Sequence, residues 1–259
     1  MKLQDKVAVI TGGNSGIGFG IAQEFKREGA KGAIVGRNPE TLAASAHELG
    51  DDFLALRADV TQLADLERVF QTVVDTFGKL DTLVVNAGGA TAKGTVSSVI
   101  STTEEEFQQA IDLNLKSFFF TVQKALPYLQ DEASIVLVAS MGAHKAFAGL
   151  TLYTAAKAAI VSFARSFSQD LLARNIRVNV VSPGIIDTPV YDKFGLSEEE
   201  ATQQKIDLAA VAALKRMGTP SEIGRVAVFL ASEDSSFMLG SEVLADGGPL
   251  TCKGVPLPA

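Results

Sequence analysis

The chain has 259 residues, of which 47% are hydrophobic and 20% charged, and its formal net charge is −7. These proportions predict a packed globular protein, and the acidic balance argues against nucleic acid or an anionic membrane as the main partner. The single cysteine, Cys252, excludes an internal disulfide framework and a cysteine metal cluster, so no metal site is predicted. No apolar run reaches the ~18 residues needed to span a bilayer, and no signal-peptide pattern is present, so we expect a cytoplasmic protein.

Short apolar runs, rich in β-formers, recur along the chain. Most are continuously apolar, which is typical of strands buried on both faces of a parallel sheet. They cover residues 6–11, 32–36, 53–60, 82–88, 134–140, 177–184 and 242–248. The stretches between them predict helices, and four helix starts are marked by Asn38-Pro39 and by the capping boxes Thr103/Glu106, Ser197/Glu200 and Thr219/Glu222.

This alternation of strand and helix over residues 1–259 predicts one α/β domain. We expect a doubly wound parallel sheet of about seven strands with helices on both faces. Sheets of this kind bind ligands at the carboxyl ends of their strands.

The first predicted strand runs into a glycine-rich turn, TGGNSGIG, at residues 11–18. Gly12, Gly16 and Gly18 allow a tight turn, close approach of a pyrophosphate and close helix–sheet packing, with the helix N-terminus facing the phosphates. A purely structural turn is the alternative, but the strand before and the helix after favour a dinucleotide site. No Gly-Lys-Ser/Thr follows, which argues against a nucleoside-triphosphate loop.

The second predicted strand ends at Gly36-Arg37, where an NAD site usually places an acidic residue. A planar guanidinium suits the 2′-phosphate of NADP(H), so Arg37 favours NADP(H) over NAD(H). Asn14 or Ser15 could add a hydrogen bond to the same phosphate. The alternative for Arg37 is a solvated loop arginine.

Further polar and small residues follow the later strands at fixed spacings. They are Asp59-Val60, Asn86-Ala87-Gly88, Asn114, Ser140, Tyr153-x-x-x-Lys157, Pro183-Gly184 and Thr188. With the glycine turn and the thirteen-residue step from Ser140 to Tyr153, the chain resembles the short-chain dehydrogenase/reductase family over essentially its whole length. The resemblance implies a Rossmann fold and an NAD(P)H-dependent oxidoreductase that interconverts a ketone or aldehyde and an alcohol by hydride transfer.

The resemblance implies the catalytic set Asn114, Ser140, Tyr153 and Lys157. Tyr153 and Lys157 lie at i and i+4 of a predicted helix and so share one face, where the ammonium and an oxidised nicotinamide would lower the tyrosine pKa from ~10. Tyr153 would be the general acid or base, Ser140 would bind the substrate oxygen, and Asn114 would hold a water that links Lys157 to solvent. A polar residue that kinks its helix is the rival interpretation of Asn114.

The resemblance also implies a cofactor site, in which Asp59 accepts from the adenine amino group, Asn86 stabilises the sheet and Lys157 holds the nicotinamide ribose. The full set is Gly12, Asn14, Ser15, Gly16, Ile17, Gly18, Arg37, Asn38, Asp59, Val60, Asn86, Ala87, Gly88, Tyr153, Lys157, Pro183, Gly184, Ile186 and Thr188. Taken one at a time, several of these residues have a structural alternative to cofactor binding. Asp59 could cap the helix after it, Asn86 could be a turn residue, and Thr188 could be an ordinary loop hydroxyl.

Substrate choice is expected in the loop after Ser140 and in a helical lid at 190–212. The candidate pocket residues are Met141, Phe147, Tyr191 and Phe194. They would form an apolar pocket for a small-molecule ketone or secondary alcohol, which points to a carbonyl reductase, or else belong to the core. His144 is interpreted as a solvated loop residue rather than a catalytic group.

Two other functions stay open. In a 3-oxoacyl-carrier-protein reductase, Arg174 would face the acidic carrier, but Gln130-Asp131-Glu132 is acidic where a second basic patch is expected. A non-catalytic NADP-binding or ligand-sensing protein would have little reason to keep the complete catalytic set.

Small residues are frequent in the predicted helix from about Leu152 to Arg174, where they permit close helix packing. Members of the family that the chain resembles are usually tetramers, so a homotetramer is expected. The tail, 249–259, would cover a neighbouring subunit or be frayed.

Overall fold

A parallel sheet forms the centre of the computed structural model, which describes residues 1–89, 98–190 and 197–252. Its strands are β1 (Val7–Thr11), β2 (Lys31–Gly36), β3 (Phe53–Arg57), β4 (Leu80–Val85), β5 (Leu129–Val138), β6 (Arg177–Pro183) and β7 (Glu242–Ala245). They lie in the order β3-β2-β1-β4-β5-β6-β7, and each neighbouring pair is parallel. The predicted doubly wound fold of seven strands is confirmed.

The helices are α1 (Gly16–Arg27), α2 (Pro39–Leu49), α3 (Leu63–Phe77), α4 (Glu104–Ile111), α5 (Ser117–Ala125), α6 (Thr151–Asp170), α7 (Glu198–Val211) and α8 (Pro220–Ala231). The predicted starts of α2, α4, α7 and α8 are confirmed: Asn38 caps α2, and the three capping boxes form in both directions. A π-helical turn, Asp112–Lys116, joins α4 to α5.

Some element ends differ from the prediction. β3 stops at Arg57 although the apolar run continues to Val60, because the Asp59 amide donates to the Asp65 carboxylate at 2.8 Å instead of to a strand. α6 ends at Asp170, and Leu172–Arg174 forms a separate 3₁₀ turn.

Two hydrophobic clusters cover the two faces of the sheet. Phe70 of α3 and Phe118 of α5 belong to the cluster on one face, and Ile21 of α1 and Ile223 of α8 belong to the other. Helices on both sides explain why β1 is buried at every position. In the described parts of the chain, no helix is long and apolar enough to cross a membrane.

Candidate active site

The glycine turn after β1 meets the end of β4 at the point where the strand order reverses. Gly12 has φ +65°, and a Cβ there would lie 2.8 Å from Asn86 Nδ2. A Cβ on Gly18 would lie 2.2 Å from the Gly12 carbonyl oxygen. Only glycine therefore fits either position, and the turn leaves bare backbone at the N-terminus of α1, as a bound pyrophosphate requires.

Asn86 ties the end of β4 to this turn. Its Nδ2 donates to the carbonyl oxygens of Thr11 at 3.0 Å and Gly12 at 3.3 Å. The Thr11 hydroxyl oxygen accepts from the amides of Asn86 and Ala87. These bonds hold the glycine turn in place, as expected of a residue that stabilises the sheet.

A cleft of about 400 Å³ lies at the carboxyl ends of β2 and β3. Its lining consists of Arg37, Arg57, Ala58, Asp59, Asp65 and Arg68. The Arg37 side chain is 67% exposed, and its Nη1 lies 3.8 Å from Asp59 Oδ2. The other Asp59 oxygen accepts from the amide and hydroxyl of Thr61, so Asp59 also closes the turn after β3.

The remaining predicted cofactor residues near β1 to β3 have local partners within the chain. Asn14 Nδ2 donates to the Thr41 hydroxyl at 2.6 Å, and a Cβ on Gly36 would lie 2.2 Å from Asn14 Oδ1. Ser15 is the N-cap residue of α1 without a side-chain capping bond. The side-chain oxygen of Asn38 accepts hydrogen bonds from the amides of Glu40 and Thr41. Ile17 packs against the core, and Val60 is buried.

The loop after β6 closes the crevice on its other side. Ile186 is buried and forms a bridge with Gly218, and a Cβ on Gly16 would lie 3.3 Å from the Thr188 side chain. Thr188 therefore lies beside the start of α1. Pro183 ends β6, and a Cβ on Gly184 would lie 2.5 Å from the Asp246 Cα, which gives Gly184 a packing role.

Ser140 and Tyr153 meet at the carboxyl end of β5. The Ser140 hydroxyl oxygen accepts from the Gly142 amide at 3.0 Å and begins a 3₁₀ turn, Met141–Ala143. A Cβ on Gly142 would lie 3.6 Å from Tyr153 Cε1, so this turn packs against the tyrosine ring. The Tyr153 side chain is hydrogen-bonded to Ser140.

Burial raises the pKa of Tyr153 above its ordinary value, and the hydrogen bond with Ser140 opposes this only in part. The expected lowering includes the charge of an oxidised nicotinamide and stays a prediction, whereas in the chain without cofactor the shift is upward. The reason is the position of Lys157 Nζ, which lies 5.6 Å from the Tyr153 ring centroid and donates to the Val138 carbonyl at 2.9 Å. Burial lowers the pKa of Lys157 to about 7, so its positive charge is only partly present at neutral pH.

Asn114 lies in the π-helical turn and is 2% exposed. Its Oδ1 accepts from the Gly89 amide at 2.8 Å, and its Nδ2 donates to the Ala110 carbonyl at 3.1 Å. A Cβ on Gly88 would lie 3.1 Å from this Oδ1 and 3.7 Å from Lys157 Nζ, so Asn114 and Lys157 border the same backbone. The π-helical turn agrees with the interpretation of Asn114 as a polar residue that makes its helix irregular. The role of Asn114 in binding a water stays a prediction.

The substrate side is described in part. Met141 is buried outside the two core clusters, and Phe147 is half-buried with Lys145 Nζ 5.9 Å from its ring centroid. Tyr191 and Phe194 lie outside the described residues. His144 is exposed, as expected of a loop residue, but its Nε2 lies 2.8 Å and 2.9 Å from the two Glu242 carboxylate oxygens.

Several contacts at the site had no signal in the sequence. The Val138 carbonyl and the Phe118 ring, whose centroid lies 4.7 Å from Lys157 Nζ, come from distant elements. Lys205 of α7 lies 3.1 Å from Asp187, next to Thr188. Neither Lys205 nor Asp187 belongs to a motif recognised in the sequence. The only sequence signal for Lys205 is its position in the helix predicted over 197–211.

Arg174 and the acidic segment before β5 bind each other. Arg174 Nε donates to Asp131 at 2.8 Å, and its two terminal nitrogens donate to the carbonyls of Leu126 and Leu129. The arginine considered for carrier-protein recognition is thus largely occupied within the chain.

A family model described as enoyl-(acyl carrier protein) reductase, of the adh_short_C2 type, matches residues 12–249. The oxidoreductase asL5 of Sarocladium schorii is 41% identical over 95% of this chain and 96% of its own length. The hydroxynaphthalene reductase-like protein Arp2 of Metarhizium brunneum is 35% identical over 96% of each chain. The 3-oxoacyl-acyl-carrier-protein reductase FabG of Thermotoga maritima is 34% identical over 96% of this chain and 99% of its own.

Solved structures are similar over the same extent. A short-chain dehydrogenase/reductase from Brucella melitensis, described as a glucose/ribitol dehydrogenase, superposes with a TM-score of 0.86 at 33% identity. The match covers 97% of this chain and 99% of the Brucella chain.

Proposed function

The chain belongs to the short-chain dehydrogenase/reductase family, and from this premise we propose that it reduces apolar ketones to secondary alcohols with NADPH. Membership makes it an oxidoreductase that uses a nicotinamide cofactor. The observation that carries the proposal is the hydrogen bond between the half-buried side chains of Tyr153 and Ser140 at the carboxyl end of β5, which places a protonated phenol beside a second hydroxyl at neutral pH. A protonated phenol is the form needed to donate to a carbonyl oxygen.

The residues around the crevice fit a dinucleotide. The glycine turn is bare where a Cβ would fill the space, Thr188 lies beside the start of α1, and Arg37 lines the cleft after β2. When bound, the nicotinamide supplies the hydride. Lys157 would hold the nicotinamide ribose from its place one helical turn after Tyr153.

The chain's own part in the reduction is to bind and protonate the ketone oxygen. Ser140 Oγ accepts from the Gly142 amide, and its hydroxyl, which is hydrogen-bonded to Tyr153 in the chain alone, would donate to the substrate oxygen once a ketone is bound. Tyr153 donates its phenolic proton to the same oxygen as negative charge develops there. NADPH consumption with a panel of ketones tests this function, and tight NADPH binding without turnover of any ketone would favour the non-catalytic alternative.

We propose NADP(H) as the cofactor because no acid ends β2 and Arg37 projects into the cleft that Arg57 and Arg68 also line. Arg37 makes one long ion pair, at 3.8 Å, so its guanidinium remains available to a phosphate.

Replacing Arg37 by Ala is expected to raise the KM for NADPH about 10–100-fold, since a charge-assisted hydrogen bond contributes about 1.5–3 kcal/mol. The KM for NADH should change less than threefold. Initial-rate kinetics with both cofactors measure the effect, with Arg225→Ala on α8 as the matched control. Equal losses with NADPH and NADH would show that Arg37 does not recognise the 2′-phosphate.

The substrate proposal rests on the apolar lining and on a relative. Met141 and Phe147 lie on the loop that carries Ser140, and Arp2 is named for a bicyclic aromatic substrate. The relative FabG favours a second candidate, reduction of 3-oxoacyl groups on a carrier protein. The engaged Arg174 argues against that candidate. Comparing kcat/KM for a bicyclic ketone with that for a 3-oxoacyl carrier protein separates the two.

We propose a homotetramer in which α5 and α6 pack against another subunit. On this face Phe119 is 38% exposed and contacts Phe163 and Phe167, with ring centroids 5.9 Å and 5.7 Å apart. The small residues Ala155 and Ala158 of α6 are also exposed. Apolar and small side chains on one surface are typical of a buried helix–helix contact.

Replacing Phe119 by Glu should convert the tetramer to a smaller species, because an unpaired carboxylate would have to be buried. Sedimentation velocity of the variant, beside Leu63→Glu on α3 as a control, measures the change. A tetramer that persists in Phe119→Glu would exclude this face as a subunit contact.

A further inference from the structure

His144 ends the turn that Ser140 begins. The amide of His144 donates to the Met141 carbonyl at 3.0 Å and so closes this 3₁₀ turn, Met141–Ala143. The turn lies against α6 and β6, and it packs against the Tyr153 ring. The position of Ser140 relative to Tyr153 is therefore coupled to the position of the whole turn.

The far end of this turn is bound to β7. His144 Nε2 lies 2.8 Å and 2.9 Å from the two carboxylate oxygens of Glu242, the first residue of β7 and 98 residues further along the chain. An ionised carboxylate only accepts hydrogen bonds, so Nε2 carries the proton in this contact. The buried Ser182 hydroxyl of β6 donates to the same carboxylate at 2.5 Å. Glu242 is thus oriented by the sheet while it binds the turn.

The loop beyond His144 runs on the surface. Lys145, Ala146 and Ala148 are exposed, and α6 begins only at Thr151. Exposed loop segments are among the more mobile parts of a protein. The contact between His144 and Glu242 therefore joins the turn to the sheet at the point where the chain becomes exposed.

The accessibility of this pair favours positioning over stability as its role. The His144 side chain is 41% exposed and that of Glu242 is 17% exposed. Pairs this accessible contribute little to the free energy of unfolding, because water competes with and screens them. Catalysis is more sensitive, since a displacement of about 1 Å in the reacting geometry can lower a rate about 10²-fold. A contact that adds little to the stability of the fold can therefore still set the position of a catalytic hydroxyl.

We propose that His144 and Glu242 are positioning residues for ketone reduction: their contact fixes the turn, so that the hydroxyls of Ser140 and Tyr153 meet the same substrate oxygen. This inference rests on the proposed function, in which both hydroxyls bind that oxygen. His144 and Glu242 act through the turn, without touching the substrate or transferring a proton. Their removal should therefore lower the rate of reduction and leave cofactor binding intact.

The test is the reduction of 1-tetralone, a bicyclic ketone, by the full chain with NADPH. His144→Leu, which removes the donor, should lower kcat about 10–100-fold. The KM for NADPH should stay within about twofold of the wild-type value, and the melting temperature within about 4 °C. His144→Gln keeps an amide donor at a similar distance from the backbone, and its kcat should stay within about threefold of the wild-type value.

A double variant separates the contact from the two side chains that make it. In a Glu242→Leu background, His144→Leu should lower kcat less than about twofold, because the contact is already absent. His47→Leu is the matched control, since it makes the same replacement at the exposed histidine of α2 and should leave kcat unchanged.

An unchanged kcat in His144→Leu, or independent losses that multiply in the double variant, would overturn the proposal. A fall in NADPH affinity or melting temperature that parallels the fall in kcat, and that His144→Gln shares, would show a structural role and overturn it too. Failure of the wild type to reduce any ketone would contradict the proposed function, and this inference with it.

Discussion

Replacing Tyr153 by Phe is expected to lower kcat for ketone reduction about 10³-fold, within the 10²–10⁴-fold range typical of a general acid. In the proposed reaction the phenol beside Ser140 is the proton donor, and burial holds its pKa above the ordinary value, so the proton is present throughout the neutral range. The affinity for NADPH should be unchanged because the aromatic ring is retained. Cofactor fluorescence measures binding, and loss of NADPH absorbance measures turnover.

Tyr128→Phe provides the matched control for this experiment. Tyr128 packs against Phe70, with ring centroids 5.9 Å apart, and lies at the opposite end of β5 from the Ser140 turn. The Tyr128→Phe variant should keep a kcat within twofold of the wild-type value. Near-normal turnover in Tyr153→Phe would refute the assignment of the proton donor, whatever the cofactor preference.

Replacing Lys157 by Met should abolish most activity and yet stabilise the free protein at neutral pH. Burial lowers the pKa of Lys157 to about 7 from 10.5, and the residue is 3% exposed. A shift of this size corresponds to about 3–5 kcal/mol of destabilisation when the group is protonated in the unfolded state. The variant also loses the hydrogen bond to Val138, which destabilises it by about 1 kcal/mol. The free energy of unfolding of Lys157→Met is therefore expected to exceed that of the wild type by about 2–4 kcal/mol at pH 7.

The pH dependence of this gain has a definite sign. Between pH 7 and 10.5 the unfolded chain binds more protons at Lys157 than the folded chain, so the free energy of unfolding of the wild type rises with pH in this window. The advantage of Lys157→Met should therefore be largest at pH 7 and below, and disappear near pH 10. Urea unfolding at several pH values measures it.

Lys116→Met is the control for the stability measurement, because Lys116 is an exposed partner of Asp112 at i and i+4. Its effect should stay within about 0.5 kcal/mol and vary little with pH. A Lys157→Met variant less stable than the wild type at pH 7 would mean that the lysine is well solvated or paired in the folded chain.

The sequence was sufficient to predict the order of strands and helices and the edge of the sheet at which the motif residues gather. Periodicity placed Tyr153 and Lys157 on one face of α6, and spacing placed Ser140 at the end of β5. Local rules also predicted the capping boxes, because a cap depends on residues three positions apart.

What the sequence did not predict depends on contacts between distant segments. The Lys157 ammonium binds a carbonyl nineteen residues earlier and lies over Phe118, and in the chain without cofactor the pKa of Tyr153 is raised rather than lowered. The engagement of Arg174 by Asp131 spans forty-three residues.

The strand order has a consequence for how the chain reaches its native state. β1, β2 and β3 are consecutive in sequence and adjacent in the sheet, so they can pair soon after they leave the ribosome. The other edge of β1 stays open until β4 arrives, with α1, α2 and α3 synthesised in between. An open apolar edge is a template for pairing with other chains. Docking of β4 beside β1 thus builds the cofactor crevice and covers the open edge of β1, and the open edge then moves to β4, β5 and β6 in turn until β7 is added.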